Sequence, residues 1–288
     1  HDDQTYRQLD ASRAWSNAYM VDRKEFQKEV SPLFNPNLKL YSHALISKDC
    51  WQASPGKTIN AVRNIAISNG GTLIEQAELI EVKKNGKEYE ALVKHNGKYI
   101  LFKTPIFINS LGANAGTFAS QLGLETGLFP VKHQAFITKR LPLMGKNGAC
   151  VDMLIDRRRY KGFSAVYGQQ FTDTGQIIGC ASPAIDAPMV LQNLKYNTLD
   201  FLEIVSEVFT DWFPCLKGVG FQATWCGYYT EPRYIVDPDA GLFVGMRGHG
   251  FMLSQYIAKL YVDYLNGRKV PDYFKEMALT GKGLSEQA

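Results

Sequence analysis

The chain has 288 residues, of which 45% are hydrophobic and 21% are charged, and its formal net charge is +4. This composition is ordinary for a folded protein, and the charge is too mildly basic to indicate nucleic-acid binding. Five scattered cysteines without a Cys-x-x-Cys pair exclude a zinc ribbon and give no sign of a disulfide framework, and we expect no metal site. Because no apolar stretch reaches membrane-spanning length and the first residues do not resemble a signal peptide, we predict a cytoplasmic protein.

The beginning of the chain combines helix and strand patterns. Apolar residues lie at loosely helical intervals over 1–30, and a strand is predicted over 38–46. Ser54 and Pro55 are typical of an N-cap and first helical turn, and the helix is predicted to end at 69–71. Its apolar face consists of Ile59, Val62, Ile65 and Ala66.

Beyond this helix, the pattern predicts a β-rich segment and then a second strand and helix. Strands are predicted over 72–74, 79–82, 89–93 and 99–102. The last two form a hairpin around Asn96 and Gly97. A buried strand over 104–108 is followed by a turn at Gly112 and by a helix over 113–122.

From residue 129 the pattern changes to a succession of short strands. They are predicted over 134–138, 163–167 and 176–181, which is typical of an antiparallel sheet. Helical spacing returns over 191–208, and a further strand is predicted over 219–229.

The last part of the chain contains a glycine-rich connection between a strand and a helix. The strand is predicted over 242–244, Gly245, Gly248 and Gly250 follow it, and the helix ends at 266–267. Such a connection can present free backbone N–H groups and a helix dipole to an anion or to a polar ring edge. An ordinary connection without a ligand has the same spacing.

The letters of this connection, Gly-x-x-Gly-His-Gly-Phe-Met, resemble the C-terminal flavin-contacting motif of the D-amino-acid oxidase-like flavoenzymes. That family includes glycine oxidase, monomeric sarcosine oxidase and D-amino-acid dehydrogenase. The segment 109–115 is similar to the family's Asn-x-x-Gly-Ala-x-Ala motif near the FAD. The resemblance extends over nearly the whole chain and implies an FAD-dependent oxidoreductase. The residues that it places at the cofactor are Gly112, Cys226, Gly245, Arg247, Gly248, His249, Gly250, Phe251 and Met252.

The resemblance also implies an α/β (α+β) fold, in which an incomplete nucleotide-binding layer carries an antiparallel substrate sheet. The expected division is a substrate-domain side with a connecting helix at 1–48, an FAD-binding layer at 49–127, an antiparallel substrate domain at 128–229 and a flavin-contacting loop and helix at 230–288. The family's Gly-x-Gly-x-x-Gly turn for the FAD pyrophosphate has no counterpart in these 288 residues. We therefore expect that a second chain supplies this site, that the chain is a processed or truncated product, or that flavin binding has been lost.

In the chemistry of this family, the carbon next to the substrate amine gives hydride to the flavin, and the protein orients the substrate and stabilises charge. We predict that Arg247 and Tyr228 are catalytic. The residues predicted to bind the substrate are Tyr167, Tyr229 and Arg233. A solvated surface arginine is the alternative for Arg247. For Cys226, which the resemblance to sarcosine oxidases links covalently to the flavin, the alternative is a small buried hydrophobic side chain.

Two functions are consistent with these features. The first is a flavin-dependent oxidoreductase that acts on the C–N bond of an amino acid or N-methyl amino acid. The second is a non-catalytic, flavoprotein-like subunit with a structural role. If the first is correct, replacing Arg247 with alanine is expected to lower kcat/KM strongly and to leave the melting temperature nearly unchanged.

Overall fold

The computed structural model describes residues 17–38, 43–48, 50–157, 162–184 and 197–279. The chain divides into two compact units, the first comprising 1–52, 132–187 and 192–227, and the second 53–131, 188–191 and 228–288. Across the described ranges, none of the helices has the length and apolar character needed to cross a membrane. The functional roles predicted for the four segments of the sequence remain predictions.

The helices are α1 (Arg23–Glu29), α2 (Pro55–Ser68), α3 (Ala115–Gln121), α4 (Leu199–Trp212), α5 (Gly250–Leu265) and α6 (Asp272–Lys275). The strands are β1 (Ala18–Asp22), β2 (His43–Ser47), β3 (Ala77–Asn85), β4 (Glu88–His95), β5 (Lys98–Thr104), β6 (Phe129–Thr138), β7 (Leu154–Asp156), β8 (Phe163–Gln170), β9 (Ile177–Pro183), β10 (Phe221–Glu231), β11 (Ile235–Asp237) and β12 (Leu242–Val244). The mixed α/β fold class with antiparallel sheets is confirmed.

A five-stranded sheet with the order β10-β6-β9-β8-β7 forms the framework of the first unit. Helix α4 covers one face of this sheet, and the edge-on contact of Phe136 with Phe209 has a centroid distance of 5.2 Å. The helix begins at Thr198, whose hydroxyl accepts a hydrogen bond from the backbone N–H of Phe201. Its observed start, Leu199, lies later than predicted, and residues 191–196 of the prediction lie outside the described residues.

The start of the described chain differs from its predicted helical pattern. Residues Ala18–Asp22 form β1, which pairs antiparallel with β2, because their side chains pack on the core of the first unit. The helix begins only after Asp22, where Asp22 and Glu25 form a capping box. Strand β2 ends at Ser47, one residue beyond the predicted end of the strand, and residues 1–16 and 39–42 of the predictions lie outside the described residues.

Gln170 holds the loop that follows β6. Its side chain is fully buried, and its oxygen accepts hydrogen bonds from the backbone N–H groups of Met144 and Val151. Its amide nitrogen donates to the carbonyls of Pro142 and Gly175 at 2.8 and 2.7 Å. One buried amide therefore satisfies four backbone groups, and it uses its whole hydrogen-bonding capacity to do so.

In the second unit, β3, β4 and β5 form an antiparallel sheet, and the predicted hairpin turn at Asn96 and Gly97 is present, with φ of 49° and 76°. The predicted strands at 72–74 and 104–108 are wrong, because neither segment forms a regular strand. Ile106 and Ile108 are exposed, although a buried strand was predicted. In the described chain, the segment around them makes only a single parallel bridge, between Asn109 and Leu242.

Two apolar clusters stabilise the second unit. The first joins one face of α5 to β11 and α6 and includes Val236, Ile257, Leu260, Tyr261, Tyr264 and Phe274. The second joins α3 to β11 and β12 through Ala115, Ala119, Ile235, Leu242 and Val244. The helical spacing predicted for the last part of the chain is therefore confirmed in α5, and the helix is followed by the expected turn at Asn266 and Gly267.

The first cluster contains a buried hydroxyl, and its removal is expected to stabilise the protein. The Tyr261 hydroxyl has no hydrogen-bond partner among the described residues, and burial raises its pKa. Because an unsatisfied buried hydroxyl costs about 1–3 kcal/mol, Tyr261→Phe is expected to raise the free energy of unfolding by about 1 kcal/mol in urea denaturation. The matched control is Tyr264→Phe, which loses hydrogen bonds to Asp239 at 3.0 and 3.1 Å and should be destabilising. A destabilising Tyr261→Phe would show that the hydroxyl is satisfied.

Candidate functional site

Two glycine turns lie at the same edge of the second unit. Asn109 bridges Leu242 in parallel, its N–H donates to the Gly241 carbonyl at 2.8 Å, and its carbonyl accepts from Phe243 at 3.0 Å. The turns at Gly112 and Gly245 each follow the carboxyl end of one of these parallel segments. In open α/β sheets, this is the edge at which ligands bind.

Asn109 also fixes the first of these turns. Its side chain is fully buried, donates to the Ala115 carbonyl at 2.9 Å and accepts from the Leu111 N–H at 3.2 Å. Gly112 has a left-handed φ of 56°, and nothing lies within 4 Å of the position that a Cβ would occupy. The turn is therefore rigid and opens onto free space at Gly112.

The glycines of the second turn are required by the protein's own packing. A Cβ on Gly245, which has φ of 72°, would lie 2.0 Å from the Arg233 carbonyl oxygen. A Cβ on Gly248 would lie 3.0 Å from the Tyr229 ring. The sequence predicted that these glycines make room for a ligand. In the structure, the space at Gly245 and Gly248 is taken by the chain itself.

Arg247, within this turn, is paired with a buried carboxylate. Its Nε donates to Glu231 Oε2 at 2.5 Å, and the side chains of Arg247 and Glu231 are 40% and 6% exposed. Arg247 is therefore an exposed arginine with one buried partner, and the choice between a role in the site and a solvated surface arginine stays open. The expectation of an unchanged melting temperature in Arg247→Ala changes, because the variant would leave a buried carboxylate without its partner.

The next side chain that can take part in chemistry, His249, also has a partner near the end of β10. The Tyr234 hydroxyl and His249 Nδ1 share a hydrogen bond of 2.6 Å. Helix α5 then begins at Gly250, and the large apolar side chains of Phe251 and Met252 in its first turn are exposed. The turn therefore presents a cation, an imidazole and an uncovered apolar surface.

The structure brings together only some of the predicted site residues. Tyr229 and Glu231 contact the turn from one face of β10, so alternation along the strand directs Tyr228 and Cys226 to the other face. The catalytic role predicted for Tyr228 stays a prediction. Arg233 donates to the Leu279 carbonyl at 2.8 Å, so its guanidinium already has a structural partner.

Tyr167 belongs to the first unit, where it faces away from α4. Its strand neighbour Gly168 approaches Phe209 of α4, and a Cβ there would lie 2.5 Å from that ring. Tyr167 is paired in register with Cys180 and hydrogen-bonds to its thiol. Burial raises the pKa of this thiol. The face of the sheet opposite α4 thus carries Tyr167, but the structure does not test its predicted role.

Sequence reasoning missed Glu231 and Tyr234. Glu231 and Arg247 are 16 residues apart, and this separation carries no periodic signal. Only the folded chain brings these side chains to the glycine turn.

Comparison with known proteins identifies the family. Residues 1–264 match the family described as FAD dependent oxidoreductase, DAO. The chain belongs to this family. It is therefore an FAD-dependent oxidoreductase of the DAO family, as the two glycine motifs predicted. No match was found among curated proteins compared by sequence.

Solved structures show that the DAO fold is shared. The chain is similar to L-proline dehydrogenase from P. horikoshii, with a TM-score of 0.75, 23% identity and coverage of 96% of this chain and 73% of the other. Glycine oxidase from Geobacillus kaustophilus gives a TM-score of 0.75, 17% identity and coverage of 96% and 70%. Iminodiacetate oxidase from Chelativorans sp. BNC1 gives a TM-score of 0.69 and 17% identity, with coverage of 98% of this chain and 71% of the other.

The residues of this DAO-family chain fit one end of the cofactor. The open space at Gly112 and the exposed Phe251 and Met252 at the start of α5 suit a flat, polar-edged ring. A Gly-x-Gly-x-x-Gly turn for the pyrophosphate is absent from the sequence. The described residues therefore offer a surface that fits the ring end of FAD, and its use by the cofactor stays a prediction.

A buried histidine in the first unit is expected to make the free energy of unfolding depend on pH. Burial lowers the pKa of His133 on β6 from 6.5 to about 4. As the pH falls from 6.5 to 4, the unfolded chain takes up a proton that the folded chain excludes, so stability is lost, by at most about 3 kcal/mol. Urea denaturation at pH 7 and pH 5 should show a smaller loss in His133→Gln than in the wild type. Equal losses in both proteins would contradict this assignment.

Proposed function

We propose that this chain is the ring-binding and substrate-binding part of an enzyme that oxidises the C–N bond of an amino acid or N-methyl amino acid. The observation that carries this proposal is Arg247, a cation held in a glycine turn at the ligand-binding edge of the DAO fold. The structural relatives are named for L-proline, glycine and iminodiacetate. Each of these molecules has a carboxylate one carbon away from its amine, and such a substrate needs a fixed cation.

Bound FAD supplies the hydride acceptor for the carbon next to the substrate amine. In the proposed mechanism, the remaining N–H donors of Arg247 bind the substrate carboxylate or the negative charge that develops during oxidation. Tyr229 and Tyr167 are the proposed substrate-binding tyrosines, and the turn at 245–252 is assigned to the ring edge. Tyr228 and Cys226 are assigned to the opposite face of β10, and Arg233 is the reserve carboxylate anchor.

Exposed apolar residues support the proposal that a further segment completes the second unit. Helix α2 has no buried residue, and its Ile59, Val62 and Ile65 are exposed. Helix α2 and the first turns of α5 line a groove of about 330 Å³. Because helices in proteins depend on burial of an apolar face, this surface is suited to a covering layer. We assign it to a segment that carries the pyrophosphate site, from the same polypeptide or from a second chain.

The absorption spectrum of the purified chain, with and without added FAD, tests this proposal. The 288 residues alone are expected to bind FAD more weakly than micromolar. The chain together with the segment that carries the pyrophosphate site, called the holoenzyme below, is expected to bind FAD tightly. Anaerobic addition of glycine, sarcosine, L-proline or D-alanine to the holoenzyme should bleach the flavin spectrum with at least one of them. Methylamine and pyrrolidine, which lack the carboxylate, should not. A holoenzyme that binds FAD and is reduced by no amine would favour the non-catalytic subunit.

A charge on α2 should separate the completing segment from the fold of the chain itself. Val62→Glu introduces the charge on the exposed groove side, so the free energy of unfolding of the isolated chain should change by less than about 0.5 kcal/mol. In the holoenzyme, the same change should weaken FAD binding at least about tenfold, because the covering layer would bury the charge. The matched control, Asn64→Glu, lies on another side of the helix and should preserve FAD binding. Equal FAD affinity in both variants would place the completing segment elsewhere.

A further inference from the structure

The four-residue segment 231–234 contacts the glycine turn from one side. Glu231 pairs with Arg247, Tyr234 hydrogen-bonds to His249, and the Arg233 carbonyl lies against Gly245. The two side chains of the turn that can take part in chemistry, Arg247 and His249, are therefore each held by a side chain of this segment. Neither Glu231 nor Tyr234 belongs to the two glycine motifs on which the resemblance to the family rests.

The pair of Glu231 and Arg247 is asymmetric in its exposure. Glu231 is 4% exposed as a residue, whereas the Arg247 side chain is 40% exposed. Taking a carboxylate out of water is costly unless a cation and hydrogen bonds compensate it, so Glu231 holds the guanidinium at one place. The observed contact uses Nε, one of five N–H donors of the guanidinium. The other four donors, on the two terminal nitrogens, belong to the part of the side chain that extends beyond the contact.

The backbone of Arg247 adds an independent observation. Its φ of 50° lies in the left-handed region, which costs energy for a residue with a Cβ. Glycine or asparagine would occupy this position at a lower cost, and strained residues of this kind cluster at functional sites. The strain fixes the direction in which the Arg247 side chain leaves the turn, and the Glu231 contact fixes its far end.

We propose that Glu231 is a positioning residue, which holds the Arg247 guanidinium in the orientation that binds the substrate carboxylate or the charge on the reduced flavin. This inference rests on the proposed function. Glu231 does not itself contact the substrate. Because the pair has no net charge, Glu231 provides orientation at the expense of attraction for anions. Its removal should therefore affect kcat and KM differently.

Kinetics of the reconstituted holoenzyme test this proposal. Glu231→Gln should lower kcat by about tenfold to a hundredfold, since a small misplacement of a catalytic group has effects of this size. KM should stay constant or fall, because the substrate carboxylate now meets an uncompensated cation. In the Arg247→Ala background, Glu231→Gln should have no further effect on kcat/KM, because no guanidinium remains to be oriented. The matched control is Glu75→Gln, which removes an exposed carboxylate paired with Arg63 at 3.2 Å and should leave kcat and KM unchanged.

The wild type, Glu231→Gln, Arg247→Ala and the double variant form a double-mutant cycle. Thermal unfolding of these four proteins gives a readout that does not depend on activity. In the Arg247→Ala background, Glu231→Gln should raise the melting temperature, because it removes a buried carboxylate that has lost its cation. In the wild-type background, the same substitution should lower the melting temperature. If the wild-type holoenzyme turns over and the two substitutions have additive effects on kcat/KM, Glu231 is structural only and the inference is overturned. If the wild-type holoenzyme oxidises no amine, the proposed function fails and the positioning role fails with it.

Discussion

Replacing Arg247 with alanine is expected to lower kcat/KM of the holoenzyme by about a hundredfold or more, which corresponds to roughly 3 kcal/mol of barrier. The physical reason is the loss of a charge-directed contact that is formed as negative charge develops. The melting temperature is also expected to fall, because Glu231 is buried and loses its partner. The measurement is steady-state kinetics at a temperature at which circular dichroism shows that the variant is folded.

Two comparisons separate the catalytic effect from the loss of stability. Arg247→Lys keeps a positive charge and should recover only part of kcat/KM, because a compact ammonium cannot replace the planar guanidinium. Arg268→Ala removes an exposed arginine in the same unit whose partner Asp263 keeps a second cation, Lys259, and it should have little effect on either quantity. Wild-type kcat/KM in a folded Arg247→Ala enzyme would remove Arg247 from the site and make Arg233 the next residue to replace.

Gln170→Leu is expected to be strongly destabilising, with a loss of about 3–5 kcal/mol in the free energy of unfolding. Leucine is similar in size but leaves two N–H groups and one carbonyl of the loop after β6, and the Gly175 carbonyl between β8 and β9, without their partner. Each unmade hydrogen bond at a buried group costs about 1 kcal/mol or more. Urea denaturation of the chain, monitored by tryptophan fluorescence, measures the loss.

The neighbouring residue Gln169 provides the matched control. It lies on the same strand, but its side chain alternates to the other face of the sheet, where it is partly exposed. Gln169→Leu should therefore change the free energy of unfolding by less than about 1 kcal/mol. Similar losses in the two variants would mean that the amide of Gln170 contributes packing volume and that its four hydrogen bonds contribute little.

Much of the chain could be predicted from the sequence because the relevant signals are local. Ser54 and Pro55 predict the start of α2, and Asn96 with Gly97 predicts the hairpin, since both depend on the conformations of a few adjacent residues. The two glycine motifs predict the family for the same reason, because their letters are contiguous. Strands β6, β8 and β9 follow from short apolar runs between turn residues.

The errors concern segments whose structure depends on distant partners. Residues 72–74 and 104–108 have the composition of strands, but a strand exists only when a neighbour pairs with its backbone. Residues 18–22 form β1 where helical spacing was predicted, because they pair with β2 and their side chains pack on the core of the first unit. Local patterns carry no information about which partner is present.

For this protein, the sequence alone determined the DAO family, the FAD cofactor, the mixed fold class and the position of the glycine turn, because these depend on short contiguous patterns. The tertiary structure decided that Glu231 and Tyr234 hold Arg247 and His249, and that Gly245 and Gly248 serve close packing. The physical reason is that these contacts join residues far apart in the chain. Their geometry arises only when β10 and the turn after β12 are folded against each other.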